Sequence, residues 1–245
     1  MGRLWIKYKK YKMKFHALIC ARAGSKGIKN KNIRQFKKKP LISYPIKLAK
    51  SIKKIESVSV STDSKKIANI SKYYGADIPF LRSKKLSSSK ANEWDVWKDF
   101  VKKKNFKGED DVIVILPATS PFRIKEDVEK CISLYKKKKF DYVIVITKAS
   151  HNPYFSMVKR NKNDLVKICM PIKKRIVRRQ DAPKIYNITP VCFVVSARHI
   201  MSKKSGQQAT LKSGKVGAIE IPYERSLDLD TEFDLKVANL LGNYI

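Results

Sequence analysis

The residues able to do chemistry form two groups near opposite ends of the 245-residue chain. Near the start, Ala21-Arg22-Ala23-Gly24-Ser25-Lys26-Gly27-Ile28-Lys29-Asn30-Lys31-Asn32 combines two glycines, a hydroxyl, one arginine and three lysines. Glycine lets a backbone come close to a phosphate, and exposed N–H groups in such a turn make an anion nest. Arg22, Lys26 and Lys31 supply positive charge for a triphosphate, and Ser25 and Asn32 add hydrogen bonds. The loop matches neither GxxxxGK(S/T) nor GxGxxG, and a glycine-lysine surface turn is the competing reading. Near the end, Asp228 and Asp230 alternate in a segment that reads as extended, which directs both to one face. Neighbouring carboxylates repel unless a cation joins them, and magnesium takes one or two carboxylates with water and phosphate in the rest of its shell. Asp230 or Thr231 could instead cap a helix that begins near Glu232, whereas Asp228 has no capping role.

Short apolar runs alternate with amphipathic stretches, the pattern of an α/β chain built from βαβ units. Phe15 to Cys20 reads as the first strand, directly before the glycine-containing loop, and α/β sheets bind ligands beyond the carboxyl ends of their strands. Helical spacing covers 40–55, 65–74, 94–104, 125–137 and 231–241, with Asp63-Ser64 capping the second of these and Gly75 ending it. Further strands are expected at 58–61, 78–81, 112–116, 142–147, 191–196 and 216–221. Between His151 and Ile188 the chain turns polar and strand-like, with Pro153, Pro171 and Pro183, which suits an inserted flap or dimerisation arm. Residues 1–12 are basic and precede Met13, so they read either as a disordered extension of a domain spanning 13–245 or as the product of an upstream start.

Composition narrows the function classes. The net charge is +34, yet 44 of the 55 basic residues are lysine, spread over every expected helix face. Nucleic-acid readers concentrate arginine and interleave aromatics, so the charge reads as lysine-solvated surface rather than a specific nucleic-acid site. Apolar runs are too short to span a bilayer. Cys20, Cys131, Cys169 and Cys192 are scattered and the three histidines are isolated, which favours reduced thiols in the cytoplasm and no zinc site.

The loop from Ala21 to Asn32 resembles the ARxGSKGxxxKN signature of the acylneuraminate (CMP-sialic acid / CMP-nonulosonate) cytidylyltransferase family. Three more segments resemble family motifs in the same order: Val60-Ser61-Thr62-Asp63, the LPATSPFR run from Leu116 to Arg123, and Leu227-Asp228-Leu229-Asp230-Thr231-Glu232. The likeness runs from about Phe15 to Leu241. It implies a Rossmann-like, mostly parallel sheet with helices on both faces, a small dimerisation arm at 151–188 and a homodimer.

The resemblance further implies transfer of CMP from CTP to the anomeric hydroxyl of a nonulosonic acid, with pyrophosphate released. It implies a nucleotide site of Ala21, Arg22, Gly24, Ser25, Lys26, Asn32 and Arg82, catalytic work by Arg22, Lys26, Lys31 and Asp230, and Mg2+ on Asp228 and Asp230. Sugar contacts fall to Thr119, Ser120, Arg179 and Gln180, although the two hydroxyls suit a helix cap equally and Arg179 suits a solvated turn. Three positions depart from the pattern: Pro117 replaces the usual glutamine, Ser89 an aspartate, and Thr189-Pro190 an NG pair. These changes lie on the sugar side, which points to a legionaminate- or pseudaminate-like acceptor. The rivals are a CMP-Kdo synthetase or another sugar nucleotidyltransferase, a basic nucleic-acid-binding protein, and a catalytically impaired relative.

Overall fold

The structure, a computed structural model, describes residues 13–25, 27–106, 108, 110–138, 140–173, 175–202 and 206–242. The expected extension at 1–12 and the loop residue Lys26 lie outside these. The first half runs β1 (Lys14–Cys20), a 3-10 turn (Lys31–Ile33), β2 (Gln35–Phe36), β3 (Lys39–Pro40), α1 (Ser43–Ser51), β4 (Ile55–Ser61), α2 (Lys65–Tyr73), α3 (Lys84–Ser87), α4 (Glu93–Lys103) and β5 (Asp111–Ile115). The second half runs α5 (Lys125–Lys138), β6 (Tyr142–Lys148), β7 (Val158–Arg160), β8 (Val166–Ile168), a 3-10 turn (Arg179–Asp181), β9 (Tyr186–Ser196), α6 (Ala197–Met201), α7 (Gln207–Ser213), β10 (Val216–Glu220), a 3-10 turn (Tyr223–Ser226) and α8 (Glu232–Leu241).

Six strands form the central sheet in the order β10-β6-β9-β5-β1-β4. β1 runs parallel to β4 and β5, and β10 parallel to β6, while β9 is antiparallel to both its neighbours. Strand residues alternate between the two faces. Ala17, Ile19, Val112, Val114 and Val143 pack with Ile46, Ile67, Val128 and Ile132 of the helices on one side. Leu18, Ile113, Ile115 and Ile144 pack with Trp94, Trp97 and Phe100 on the other. Helices therefore cover both faces, as a buried, mostly parallel sheet requires.

A third, smaller cluster draws the ends of the chain together. Ile28 of the early loop, Phe36 of β2 and Leu41 pack against Phe122, Leu229, Leu235 and Ala238. Ile28 and Leu229 are fully buried, so apolar contact holds the glycine-containing loop beside the carboxylate segment.

Several expected boundaries shift for identifiable reasons. The helix expected over 40–55 is only Ser43–Ser51, because Lys39–Pro40 pairs with β2 and Ile55 already belongs to β4. The strand expected at 78–81 reduces to two isolated bridges, Ser59↔Asp77 and Thr62↔Leu81; Pro79 within it has no N–H for a ladder. Ser64 alone caps α2, accepting from the Ile67 N–H, and Gly75 at φ 87 follows its end. β9 begins five residues earlier than the expected 191, and its register against β6 jumps from Val143↔Val194 to Val145↔Thr189 around Pro190. α3, α6, α7 and the β2–β3 hairpin carry no strong apolar period and are visible only in three dimensions.

Candidate active site

A cleft of about 730 Å³ opens where β1 and β5 end and β9 begins. Arg22, Ser25, Gly27, Lys31 and Asn32 line one side of it, and Asp228, Asp230 and Thr119 another. The two groups of chemically capable residues thus face one space.

Local bonds explain how the loop keeps its shape. The Ala21 N–H donates to the Ser61 carbonyl at 2.9 Å, which continues the β1–β4 pairing one residue past the strand. Asp63, expected to help cap α2, instead accepts from the Ala23 N–H at 2.9 Å. The buried Asn32 donates from Nδ2 to the Arg22 carbonyl at 3.0 Å, so it ties the loop to itself across ten residues. Arg22 Nη1 donates to the Ser88 carbonyl at 2.9 Å, joining the loop to the segment after α3. Gly27 is required by contact, since a Cβ there would stand 2.0 Å from the Asp230 carbonyl oxygen. Gly24 has open space around it and carries no such constraint.

Lys31 Nζ lies 2.8 Å from Asp230 Oδ1. The backbone of the carboxylate segment is held from both sides, with the Leu229 N–H donating to the Thr119 carbonyl at 2.9 Å and the Asp230 N–H to Asp234 Oδ2 at 3.0 Å. Thr231, not Asp230, caps α8, in a reciprocal pair with Asp234. Both aspartates are therefore free of capping. Asp228 Oδ1 is buried with no hydrogen-bond partner. Burial pushes the Asp228 carboxyl above its ordinary value, and the Asp230 charge adds to this against the opposing effects of Thr119 and Lys31.

The expected sugar-side residues divide. Thr119 lines the cleft, but the buried Ser120 gives its hydroxyl to the Pro190 carbonyl at 3.1 Å and does not. Arg179 and Gln180 line a separate cavity of about 410 Å³ with Asn152 and Tyr186, and Arg179 donates to the Ser150 carbonyl. Arg82 lines a further cavity of about 210 Å³, next to the cleft, where its buried Nε and Nη2 have no partner.

Residues 16–199 match the family described as Cytidylyltransferase. The chain belongs to this family. It is 30% identical over 225 residues to the "Post-translational flagellin modification protein B" of Campylobacter coli, an alignment covering 91% of this chain and 92% of that one. The "CMP-N,N'-diacetyllegionaminic acid synthase" of Campylobacter jejuni is 29% identical with the same coverage. The N-acylneuraminate cytidylyltransferase of Escherichia coli is 28% identical over 92% of this chain and 51% of its own. Among solved structures, a CMP:2-keto-3-deoxy-manno-octonic acid synthetase complexed with CTP superposes with a TM-score of 0.72 at 16% identity, covering 95% of this chain and 100% of that one. This last likeness concerns the fold.

Membership makes the chain a nucleotidyltransferase, with the Rossmann-like arrangement of its relatives. Among the described residues, no helix is long and apolar enough to cross a membrane.

The cleft of this cytidylyltransferase-family chain also holds residues that the sequence did not single out. Glu93, Trp97, Phe193 and Gln207 line its far side, from α4, β9 and α7. Behind it, the buried Arg123 donates to the carbonyls of Pro117 at 2.6 Å and Pro190 at 3.2 Å. Two positions that depart from the family pattern thus contribute backbone oxygen to one guanidinium. Burial lowers the Arg123 pKa to about 10, and it stays charged at neutral pH. Asp127, completely buried, accepts from Arg225 in a two-point pair at 3.0 Å each, which anchors the turn leading to Asp228. Only Arg123 had a sequence signal, as the last residue of the LPATSPFR run; the Asp127–Arg225 pair spans 98 residues and has none.

Proposed function

We propose that this enzyme transfers CMP from CTP to the anomeric hydroxyl of an acidic nine-carbon sugar of the sialic, legionaminic or pseudaminic type. The observation that carries the reading is the meeting of Arg22 and Lys31 with Asp228 and Asp230 in one cleft. The acceptor class rests on relatives whose names specify CMP-diacetyllegionaminic acid synthases from Campylobacter jejuni and Legionella pneumophila.

In this reading the anomeric oxygen bonds to the α-phosphorus, the bond to pyrophosphate breaks with its electron pair leaving on pyrophosphate, and the hydroxyl proton is released. Arg22, Lys31 and the loop N–H groups hold the phosphates, and Lys26 adds charge to the same loop. Asn32 keeps the loop shaped through the Arg22 carbonyl. Such catalysis rests on alignment and on charges already in place when the leaving group departs. The base enters the smaller cavity, which Arg82 lines.

Asp228 and Asp230 suit a hard cation, because a buried carboxylate oxygen without a partner is costly. Two carboxylates would leave most of a cation's shell to water and phosphate. That is the habit of magnesium. Bound there, Mg2+ would neutralise charge on the phosphates.

The arm at 151–188 exposes Met157, Val158, Leu165, Val166, Met170 and Val177, an apolar surface suited to a second copy. Arg179 and Gln180 belong to this arm and stand outside the cleft of their own chain, so any sugar contact by them is made after assembly. The four free thiols fit a cytoplasmic enzyme.

Pyrophosphate release from CTP, assayed with N-acetylneuraminate, diacetyllegionaminate, pseudaminate and 2-keto-3-deoxy-manno-octonate, tests the reading. Release with one of the nine-carbon acids is expected, and release with the eight-carbon acid alone would overturn it. Sedimentation velocity tests the dimer.

A further inference from the structure

The main cleft and the smaller cavity beside it share Cys20, Arg22 and Glu93. Glu93 is the first residue of α4. Asn92 caps that helix, accepting from the Trp94 N–H at 2.9 Å, which fixes where the helix starts. Trp97, one turn on, is buried and packed against Trp94 and Phe193, with ring centroids 4.8 and 6.2 Å away. The backbone that carries Glu93 is thereby fixed at the junction of the two cavities.

Glu93 is reached by solvent from the cavities, yet it sits in a concave, protein-lined place. Burial raises its carboxyl above the ordinary value, while the neighbouring Trp97 and Arg82 favour its charged form. The Trp97 indole N–H is itself buried without a close hydrogen-bond partner.

Connectivity decides what this carboxylate would meet. A nucleotide with its base beside Arg82 and its phosphates on the Arg22–Lys31 loop must pass its ribose through the space the two cavities share. A carboxylate repels phosphates and an acidic sugar alike. It accepts readily from a neutral vicinal diol, the use carboxylates find on ribose in dinucleotide-binding folds.

We propose that Glu93 reads the ribose, its carboxylate accepting hydrogen bonds from the 2′- and 3′-hydroxyls, and thereby sets the preference for CTP over dCTP. This rests on the nucleotide assignment made above. Cys20 closes the same junction, and burial keeps it a neutral thiol.

Equilibrium titration calorimetry with CTP and dCTP on the wild-type protein, Glu93→Gln and Glu93→Ala tests it. The wild type should bind CTP about ten- to a hundredfold more tightly than dCTP, the range for hydrogen bonds to a charged acceptor. Glu93→Ala should bring the two within about twofold, through weaker CTP binding with dCTP little changed, and Glu93→Gln should fall between. Glu93→Gln keeps the size of the side chain, so it serves if the alanine variant folds poorly. A wild type without the preference, or an alanine variant that retains it, overturns the role of Glu93 and leaves the transferase reading standing. A wild type that binds neither nucleotide removes that reading and this one with it.

Discussion

Lys31 Nζ and Asp230 Oδ1 stand 2.8 Å apart although 199 residues separate them. The lysine is mostly covered, with 17% of its side chain exposed, while the aspartate is 67% exposed. A contact this open adds little to stability. Its consequence is positional, because it fixes the one loop cation it involves beside the carboxylates.

Lys31→Met should therefore leave the fold intact and disable the chemistry. Thermal unfolding is expected within about 1 kcal/mol of wild type. Pyrophosphate release should fall by about 10²–10³-fold, the usual cost of losing one charge-stabilising group.

Asp228→Asn separates function from stability. Burial disfavours the ionised carboxyl, so the amide should unfold at the same temperature as wild type or a little higher. Turnover should be abolished. Magnesium should raise the melting temperature of the wild type and not of this variant, and EDTA should silence the wild-type enzyme. A variant with near-normal turnover would remove Asp228 from the proposed metal site.

The two loop glycines should behave differently. Gly27→Ala places a methyl group 2.0 Å from the Asp230 carbonyl oxygen, and forced overlap of this kind costs about 1–3 kcal/mol. Gly24→Ala meets nothing within 4 Å, so its stability should match wild type and any defect should appear in the KM for CTP. Urea unfolding and steady-state kinetics on both variants check the contrast.

Arg225→Met would leave the fully buried Asp127 carboxylate without its partner. Removing one member of a buried pair costs about 3–5 kcal/mol. Adding Asp127→Asn should recover part of that loss in a urea titration, since the uncompensated charge is then gone.

Acid should weaken the protein through His16. Its ring bonds Ser57 Oγ at 2.9 Å, lies 3.5 Å from Asp111 and stacks on Phe106. Burial lowers its pKa below 6.5, and Asp111 and Glu56 oppose this without reversing it. The unfolded chain then takes up a proton that the folded chain refuses, so stability present above about pH 6.5 is lost as pH falls through and below it. Unfolding free energies measured from pH 7.5 to 5.5 should decline, and less steeply in His16→Gln.

The sequence by itself carried much of the fold and singled out the two segments that meet in the cleft. Unbroken apolar runs such as Val112 to Leu116 can only be buried strands, and periodic stretches gave α2, α4 and α5 nearly to the residue. The loop and the Asp228–Asp230 pair were legible because each lies within a few neighbouring residues. Tertiary structure decided what depends on distant partners. It sent Asp63 to the loop rather than to its helix, turned the Ser120 hydroxyl to Pro190, and placed Arg179 and Gln180 outside the cleft. It alone joined Ile28 to Leu229 in one apolar cluster, Asp127 to Arg225, and Glu93 to both cavities. Local periodicity records which face of an element is buried, whereas these pairings depend on how the sheet brings remote elements together, and no spacing along the chain encodes that.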